Sequence, residues 1–406
     1  MSVKILHFAD THIDSFSSGR PDSETGLPYR AGDFLRSLDE IIDTAIEEKV
    51  DIALFAGDAY HSPKPTPTFQ REWGKRIKRF SDAHIPLLMI SGNHDINPSY
   101  MKASALQEVD TWQVPYIHLA KSIRMWGPEE LDNAPIRVLT IPWLSPRNLT
   151  AAMERQGKHE SQETLLHEME SLLTEKVYKV LEDTDQSLPL VLLAHYSVDG
   201  ANYSDERHVT LGSEVTLSKA LVTDSRFTYT ALGHLHFHQD LNEGNQPPAV
   251  YSGSIEHVNY GEAEEAKGFM IAELTPGNCK TEFRRLHTRP MFRLNFKAET
   301  AEDLRRIPEV LPSPEEIRDA MISLTVTYDE AWKGQIDEKE LKQLTKEAFE
   351  FHLVLRPQRA ARVRFGTDDS IASQSPADIF RLYCDSANIK EKDSLAFLAN
   401  EIFNEN

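Results

Sequence analysis

Cysteine is nearly absent: Cys279 and Cys384 are the two in 406 residues, far apart in the sequence. Two thiols make neither a disulfide framework nor a four-thiolate zinc site, so a stapled secreted scaffold does not fit, and a reducing cytoplasm is the expected compartment. No apolar run is long enough to span a bilayer. Met1-Ser2-Val3-Lys4 leads straight into a strand, without the basic, apolar and small-residue order of a secretory leader, so export is not expected. Internal repeats and low-complexity tracts are also missing. Basic charge is short: 44 Lys and Arg against 64 Asp and Glu leave a formal net charge of −20. Nucleic-acid affinity comes largely from counterions released at Lys and Arg, so this balance argues against nonspecific coating of DNA.

What the chain does have is four short polar segments, each directly after a β-rich apolar run. Asp10-Thr11-His12 follows Lys4 to Ala9, and Gly57-Asp58-Ala59-Tyr60-His61 follows Ile52 to Ala56. Gly92-Asn93-His94-Asp95 follows Pro86 to Ser91, and Gly233-His234-Leu235-His236 follows Phe227 to Leu232. A fifth run, Leu190 to Ala194, ends at His195. The first three runs read as strands buried on both faces. Glycines at 57, 92 and 233 suit a sharp exit from a sheet, so the polar side chains would collect at C-terminal strand ends, where sites form in open α/β sheets. Carboxylates, imidazoles and one amide oxygen are a hard-to-borderline donor set, suited to Mn, Fe, Zn or Mg. One histidine on a strand is usually packed or solvated. Asp-x-His, Gly-Asp, Gly-Asn-His-Asp and Gly-His-x-His in this order, at βα-sized intervals, are hard to obtain from packing and point to a binuclear metal site.

This order of segments resembles the calcineurin-like metallophosphoesterases, which hydrolyse phosphate mono- and diesters with two metal ions. The resemblance implies that Asp10, His12 and His236 hold one ion, that Asn93, His195 and His234 hold the other, and that Asp58 bridges them. Where the family usually reads Gly-His, this chain has Ala194-His195, a difference of one methyl group. Two divalent ions roughly 3.5–4 Å apart can activate a shared water and clamp phosphate oxygens during in-line displacement. His94 is next to Asn93 without a metal role of its own, and is the candidate general acid. Asp95 is expected to orient the His94 ring through a carboxylate–imidazole hydrogen bond. A purely structural His94 is the alternative.

Two further features narrow the resemblance to the SbcD-type nucleases. His61 stands three residues after Asp58, giving Gly-Asp-x-x-His. Tyr251-Ser252-Gly253-Ser254-Ile255-Glu256-His257-Val258-Asn259-Tyr260-Gly261-Glu262, followed by Lys267-Gly268-Phe269, is similar to a segment of those nucleases, although by local chemistry it reads as a hairpin with glycine turns. The resemblance implies a manganese-dependent nuclease, with Mg, Fe or Zn as alternatives. It would act as a 3′-to-5′ exonuclease on duplex ends and an endonuclease on single strands or hairpins, in double-strand-break repair and recombination. His61 would help position the scissile phosphate without binding a metal. The partners implied are DNA ends and hairpins, a second copy of the chain, and an SbcC-type coiled-coil ATPase, with no membrane; the place is the cytoplasm, at the nucleoid. Two other functions compete. A cyclic-nucleotide or small-molecule phosphodiesterase would not need the long C-terminal part, and a weakly catalytic DNA-end-binding scaffold would not need the complete ligand set.

The expected fold class is α/β. Residues 1–286 would form a two-sheet sandwich phosphoesterase core flanked by helices, 287–366 a small α/β capping domain, and 367–406 a connector and a helical partner-docking tail. Asp33 reads as the N-cap of a helix carrying Phe34, Leu35, Leu38, Ile41, Ile42, Ala45 and Ile46 on one face, after a loop from Ser17 to Gly32. Met291 to Phe296, Ile322 to Thr327, Phe351 to Leu355 and Arg362 to Phe365 read as short strands, and Asp337 to Ala348 as a helix. Arg71, Lys75, Arg76, Lys78 and Arg79, and a second group at Arg284, Arg285, Arg289, Arg356, Arg359, Arg362 and Arg364, read first as solvated faces and second as DNA contacts. In the tail, Ile379, Phe380, Leu382 and Tyr383 precede a polar break, and Leu395, Phe397, Leu398, Ile402 and Phe403 follow it. Spacing favours packing of these sets on the protein's own core; the resemblance favours docking on the ATPase.

Overall fold

The computed structural model describes residues 2–16, 21–97, 103–145, 162–182, 184–203 and 214–358, with Phe380 and Leu395. The expected strand at Arg362 to Phe365, the connector, the paired tail helices and Arg359, Arg362 and Arg364 lie outside the described residues. Packing divides the chain into two compact units, one of Met1–Arg293 with Glu315–Ile322 and Glu347–Glu350, the other of Leu294–Pro314, Ser323–Lys346 and Phe351 onward.

The first unit is a sandwich of two six-stranded sheets. Its strands are β1 (Val3–Phe8), β2 (Ile52–Phe55), β3 (Leu87–Ile90), β4 (Ile117–Ala120), β5 (Arg124–Trp126), β6 (Arg137–Ile141), β7 (Leu190–His195), β8 (Ser197–Val198), β9 (Thr216–Leu217), β10 (Tyr229–Gly233), β11 (Gln239–Asp240), β12 (Ala249–Tyr251), β13 (Gly268–Thr275) and β14 (Asn278–Arg285). One sheet runs β14-β13-β1-β2-β3-β4 and the other β11-β12-β10-β7-β6-β5, while β8 and β9 pair apart. The parallel neighbours β1, β2, β3 and β4 are joined through helices α1 (Tyr29–Glu47), α2 (Pro67–Asp82) and α3 (Gln107–Trp112).

Alternation along the strands makes three layers of core from two sheets. Ile5, Leu54 and Ile90 point between the sheets, toward Val191, Leu193 and Ala231. Leu6, Phe8, Phe55 and Met89 point outward, against Phe34, Leu38, Ile41 and Ile42 of α1 and Trp73, Ile77 and Phe80 of α2. On the far side, Leu139, Leu192 and Leu232 meet Leu166, Met169, Leu173 and Val177 of α4 (Gln162–Glu182), and α5 (Lys219–Val222) closes that layer. Each fully buried Leu, Ile or Phe contributes about 1.5–3 kcal/mol, so these helical stripes hold the sheets in register.

The first helix differs from the sequence reading. It begins at Tyr29, so Tyr29 to Gly32 are helix rather than loop, and Asp33 is buried inside it instead of capping it. The reason is charge. The Asp33 carboxylate accepts from Arg30 Nη1 at 2.9 Å and from Arg289 Nε and Nη2 at 2.7 and 2.9 Å, and also meets Arg36, leaving no oxygen for a helix start. Burial alone would raise the Asp33 carboxyl, but the guanidiniums of Arg289 and Arg30 hold it below its ordinary value. The basic stripe of α2 is likewise internally paired. Arg71, Lys75 and Arg76 share Glu72, Arg76 and Arg79 reach Asp39, Arg79 also meets Asp43, and Lys78 meets Asp82. Arg284 lies between Glu48 and Glu282. These are helix-packing and strand-edge ion pairs.

The segment after β12 is not a hairpin, because β12 and β13 belong to different sheets. It crosses between them through a 3-10 turn at Tyr260–Glu262. The three-stranded sheet β15-β16-β17, of β15 (Met291–Lys297), β16 (Met321–Asp329) and β17 (Glu350–Gln358), contributes to the second unit. Leu304, Ile307, Leu324, Val326, Tyr328 and Leu341 form the core there. A short helix α6 (Pro314–Ile317) precedes β16, and α7 (Glu338–Leu344) is capped by the Asp337 carboxylate, which accepts from Lys339 and Glu340 amides at 3.0 and 2.9 Å. No helix among the described residues is long and apolar enough to cross a membrane.

Candidate metal centre

Five strand ends converge on one point. Asp10 and His12 leave β1, Asp58 leaves β2 and Asn93 leaves β3, all in one sheet; His195 ends β7, and His234 and His236 leave β10 in the other. Backbone bonds lace the first two loops together: Asp10 N–H donates to Gly57 O at 2.9 Å, and the Thr11 and His12 amides to Asp58 O at 2.9 and 3.2 Å.

The backbone here is held in an uncommon conformation. Asp10 (φ 50°), His12 (φ 35°), Asp58 (φ 61°) and His234 (φ 103°) all occupy positive φ, which side-chain-bearing residues adopt uncommonly and which here gathers four of them at one point. Two glycines show why no larger residue fits beside them. Gly57 has φ 100°, and a Cβ on it would come within 2.5 Å of His195 Nδ1. Gly92 needs no positive φ; a Cβ there would fall inside the Asp58 carboxylate.

The seven expected ligands are brought together. Asp58 Oδ2 lies 3.7 Å from His12 Nε2 and 3.4 Å from His195 Nε2. Asn93 Oδ1 lies 2.9 Å from His195 Nε2 and 3.0 Å from His234 Nδ1. His12 Nε2 faces His236 Nε2 at 3.1 Å. Asp10, His12 and His236 form one group that could hold an ion, and Asp10, Asp58 and His195 another.

Proton bookkeeping tests whether cations fit. His12 Nδ1 faces the Tyr60 carbonyl at 3.3 Å and His195 Nδ1 the Ala56 carbonyl at 2.6 Å, and a carbonyl only accepts, so both protons sit on Nδ1. His236 Nδ1–H donates to Glu262 at 3.0 Å and His234 Nε2–H to Glu214 at 3.0 Å. The other nitrogen of each ring, once the ring is neutral, is then a bare lone pair, and all four point inward at one another and at oxygens. Bare lone pairs 3.1 Å apart repel, and a divalent ion bonded to both nitrogens would relieve that repulsion, so the donor set fits divalent ions.

Electrostatics agree. Burial lowers the His12 imidazole well below its ordinary value and raises the Asp10 carboxyl to about 6. Burial would also raise Asp58, but His195, His94 and His12 hold its carboxyl low. His195 moves the other way, to about 9, because the Asp58 carboxylate outweighs burial, so at neutral pH its inward nitrogen carries a proton that a bound ion would displace.

Sequence reasoning missed the residues behind the ligands. Glu262, kept ionised against burial by His236 and Lys267, accepts from His236 Nδ1 and from Lys267 Nζ at 2.7 Å, and Lys267 is itself fully buried. Glu214 does the same for His234, and Trp143 lies tilted beside that ring at 5.5 Å. Only the similarity of the 251–269 segment hinted at Glu262 and Lys267; nothing local marked Glu214.

His94 and His61 line the same centre. His94 is half-buried, its amide donates to Asp58 Oδ1 at 2.9 Å, and its Nδ1–H donates to the His61 carbonyl at 2.8 Å. His61 is exposed, stacks on the His94 ring at 4.9 Å, and has its amide tied to Asp14. The orienting role expected of Asp95 toward His94 is corrected. The buried Asp95 carboxylate accepts from the amides of Asp58 and Gly92 at 2.9 Å, Ala59 at 3.0 Å and Tyr60 at 3.3 Å, so it pins the loops after β2 and β3 while His94 is oriented by a carbonyl.

The sequence pattern of the family described as Calcineurin-like phosphoesterase matches residues 3–238. Two solved structures are similar to this chain. A Thermus thermophilus protein is 11% identical, with 70% of this chain and 99% of that one covered and a TM-score of 0.38. A dimetal phosphatase from Danio rerio is 12% identical, with 70% and 96% covered and a TM-score of 0.39.

Proposed function

This chain belongs to the calcineurin-like phosphoesterase family of metal-dependent hydrolases, and we propose that within it the chain is a DNA nuclease of the SbcD type. The observation that carries this reading is the exposed His61 ring stacked on His94, with its loop clamped by Asp14. A second imidazole beside the candidate acid suits a phosphodiester, whose retained ester oxygen must be held aside while the leaving oxygen stands in line with the attacking water, better than a phosphomonoester.

On this reading Asp10, His12 and His236 would hold one ion and Asn93, His195 and His234 the other, with Asp58 common to both. Bound there, a pair of divalent ions, manganese first, would supply water activation and offset charge developing on the phosphate. Glu262, Glu214 and the carbonyls of Tyr60 and Ala56 keep the four imidazoles in the tautomers that face inward. His94, with Nδ1 committed to the His61 carbonyl, delivers a proton from Nε2 to the leaving oxygen when doubly protonated. His61 aligns the scissile phosphate. Action from 3′ to 5′ on duplex ends, cutting of hairpins, assembly as a homodimer and docking of an SbcC-type ATPase through the tail complete the proposal, which places the protein in double-strand-break repair.

A second reading, hydrolysis of a cyclic nucleotide or other small phosphodiester, is favoured by one observation: the α2 arginines and lysines read as candidate DNA contacts are paired with Glu72, Asp39, Asp43 and Asp82. Purified protein given Mn²⁺ and, in parallel, linear duplex DNA, a DNA hairpin, a cyclic nucleotide and a phosphomonoester separates the two. Hydrolysis of the duplex and hairpin is expected; cleavage of the cyclic nucleotide alone would reject the nuclease reading.

A further inference from the structure

His12, His61 and His94 each bring one ring nitrogen to within 4.8 Å of the others, a group apart from the two that contain carboxylates. The His61 and His94 rings lie nearly parallel, 26° apart, and each meets His12 edge-on, with centroids at 5.6 and 5.0 Å. His94 has given its Nδ1 proton to a carbonyl, so Nε2 is its open donor atom. His12 has done the same with Nδ1, and its single inward nitrogen is the one that also faces His236 and Asp58.

We propose that this all-imidazole trio is an alternative, inhibitory seat for borderline divalent ions, Zn²⁺ first and Ni²⁺ or Cu²⁺ with it. Imidazole-only sites favour these ions by softness and by the Irving–Williams order, whereas Mn²⁺ and Mg²⁺ favour oxygen donors. Zinc–nitrogen bonds of about 2.0–2.1 Å place tetrahedral nitrogens roughly 3.3 Å apart, a separation that rotation of the exposed His61 and half-buried His94 can reach from the present spacing. Because His12 has one inward nitrogen, an ion in the trio takes His12 from the seat it shares with Asp10 and His236. The same ion occupies His94 Nε2. Zinc is thus expected to act as a competitor of manganese, because the trio, with no oxygen donor, admits zinc and disfavours manganese.

The inhibitory consequence rests on the proposed role of His94; the seat itself does not. Crystals of the full chain loaded with Mn²⁺ and soaked in Zn²⁺ would locate zinc by anomalous scattering, with a peak expected at bonding distance from His61 and His94 and weakened manganese beside Asp10 and His236. In solution, competition with a chromophoric chelator should show Zn²⁺ affinity at this seat reduced at least about tenfold in His61→Ala, since even loss of a group behind a ligand costs about 10–100-fold, with Mn²⁺ affinity unchanged. Zinc confined to the positions around Asp58, or equal Zn²⁺ affinity in the wild type and His61→Ala, overturns the proposal. If the Mn²⁺ protein hydrolyses no phosphodiester, the functional reading fails, and the zinc position still decides the seat.

Discussion

Replacing Glu262 by glutamine removes one negative charge that four donors share: His236 Nδ1 at 3.0 Å, Asn259 Nδ2 at 2.9 Å, the Val258 amide at 3.0 Å and Lys267 Nζ at 2.7 Å. Glutamine keeps one acceptor oxygen. Its amide nitrogen must then face a donor, either Lys267 and Val258 or His236 and Asn259. If the oxygen stays with His236, the buried Lys267 ammonium retains Glu265 and the His236 carbonyl as partners. A hydrogen bond to a charged group is worth about 1.5–3 kcal/mol, so a measurable fall in Tm is expected with the fold intact. Loss of the carboxylate behind a metal-ligating histidine weakens metal binding about 10–100-fold, which is about 1.4–2.7 kcal/mol. The loss should fall on one ion only, because His234 is backed independently by Glu214. Chelator competition with Mn²⁺ would read two dissociation constants, one raised in that range and one unchanged. Two unchanged constants, or an equal rise in both, would refute the reasoning.

Asp58→Asn removes the charge common to both halves of the centre, so at least one metal and nearly all hydrolysis should be lost from a folded protein; unchanged stoichiometry and rate in a metal analysis with assay would contradict the assignment. His94→Ala should keep both metals and slow turnover by about 10²–10⁴, less on a nitrophenyl ester whose leaving group needs no proton; an equal loss on both substrates would leave His94 a structural role. Burial holds the His7 imidazole down to about 3 from 6.5, so the unfolded chain binds the extra proton and stability falls as pH drops from about 6.5 toward 3. His7→Asn, which can still bond the Tyr229 hydroxyl, should flatten that limb by up to about 1.4 kcal/mol per pH unit in urea titrations, and an unaltered slope would clear His7 of the effect. Ending the chain at Ser375 should spare metal binding and basal hydrolysis but abolish co-purification with an SbcC-type ATPase; full co-purification would show that the tail is not the docking element.

The central strands and ligand segments were legible because they are local. An apolar run followed by Gly-Asp or Gly-Asn-His-Asp states in a few residues both where a strand ends and which donors stand at its end. What stayed hidden depends on residues distant in sequence. Asp33 looks like a cap until Arg289, 256 positions away, takes its carboxylate. Asp95 adjoins His94 in sequence, yet its oxygens turn to amides 35 to 37 positions earlier as well as to Gly92, because those amides are buried and must be satisfied. Glu214 and Glu262 stand 20 and 26 positions from the histidines they support, in segments with no periodicity to mark them.

The placement of the donors on both sheets has a consequence in time. His12 and His236 are 224 residues apart, and neither half of the centre closes before the second sheet exists. At a synthesis rate of about 5–20 residues per second, roughly 10 to 45 s separate their emergence from a ribosome. During that interval the nascent first sheet offers Asp10, His12, Asp58 and Asn93 without the imidazoles of His195, His234 and His236. The strands β13 and β14 that complete the first sheet emerge later still, so the centre and the sheets that carry it are completed together by the C-terminal part of the first unit.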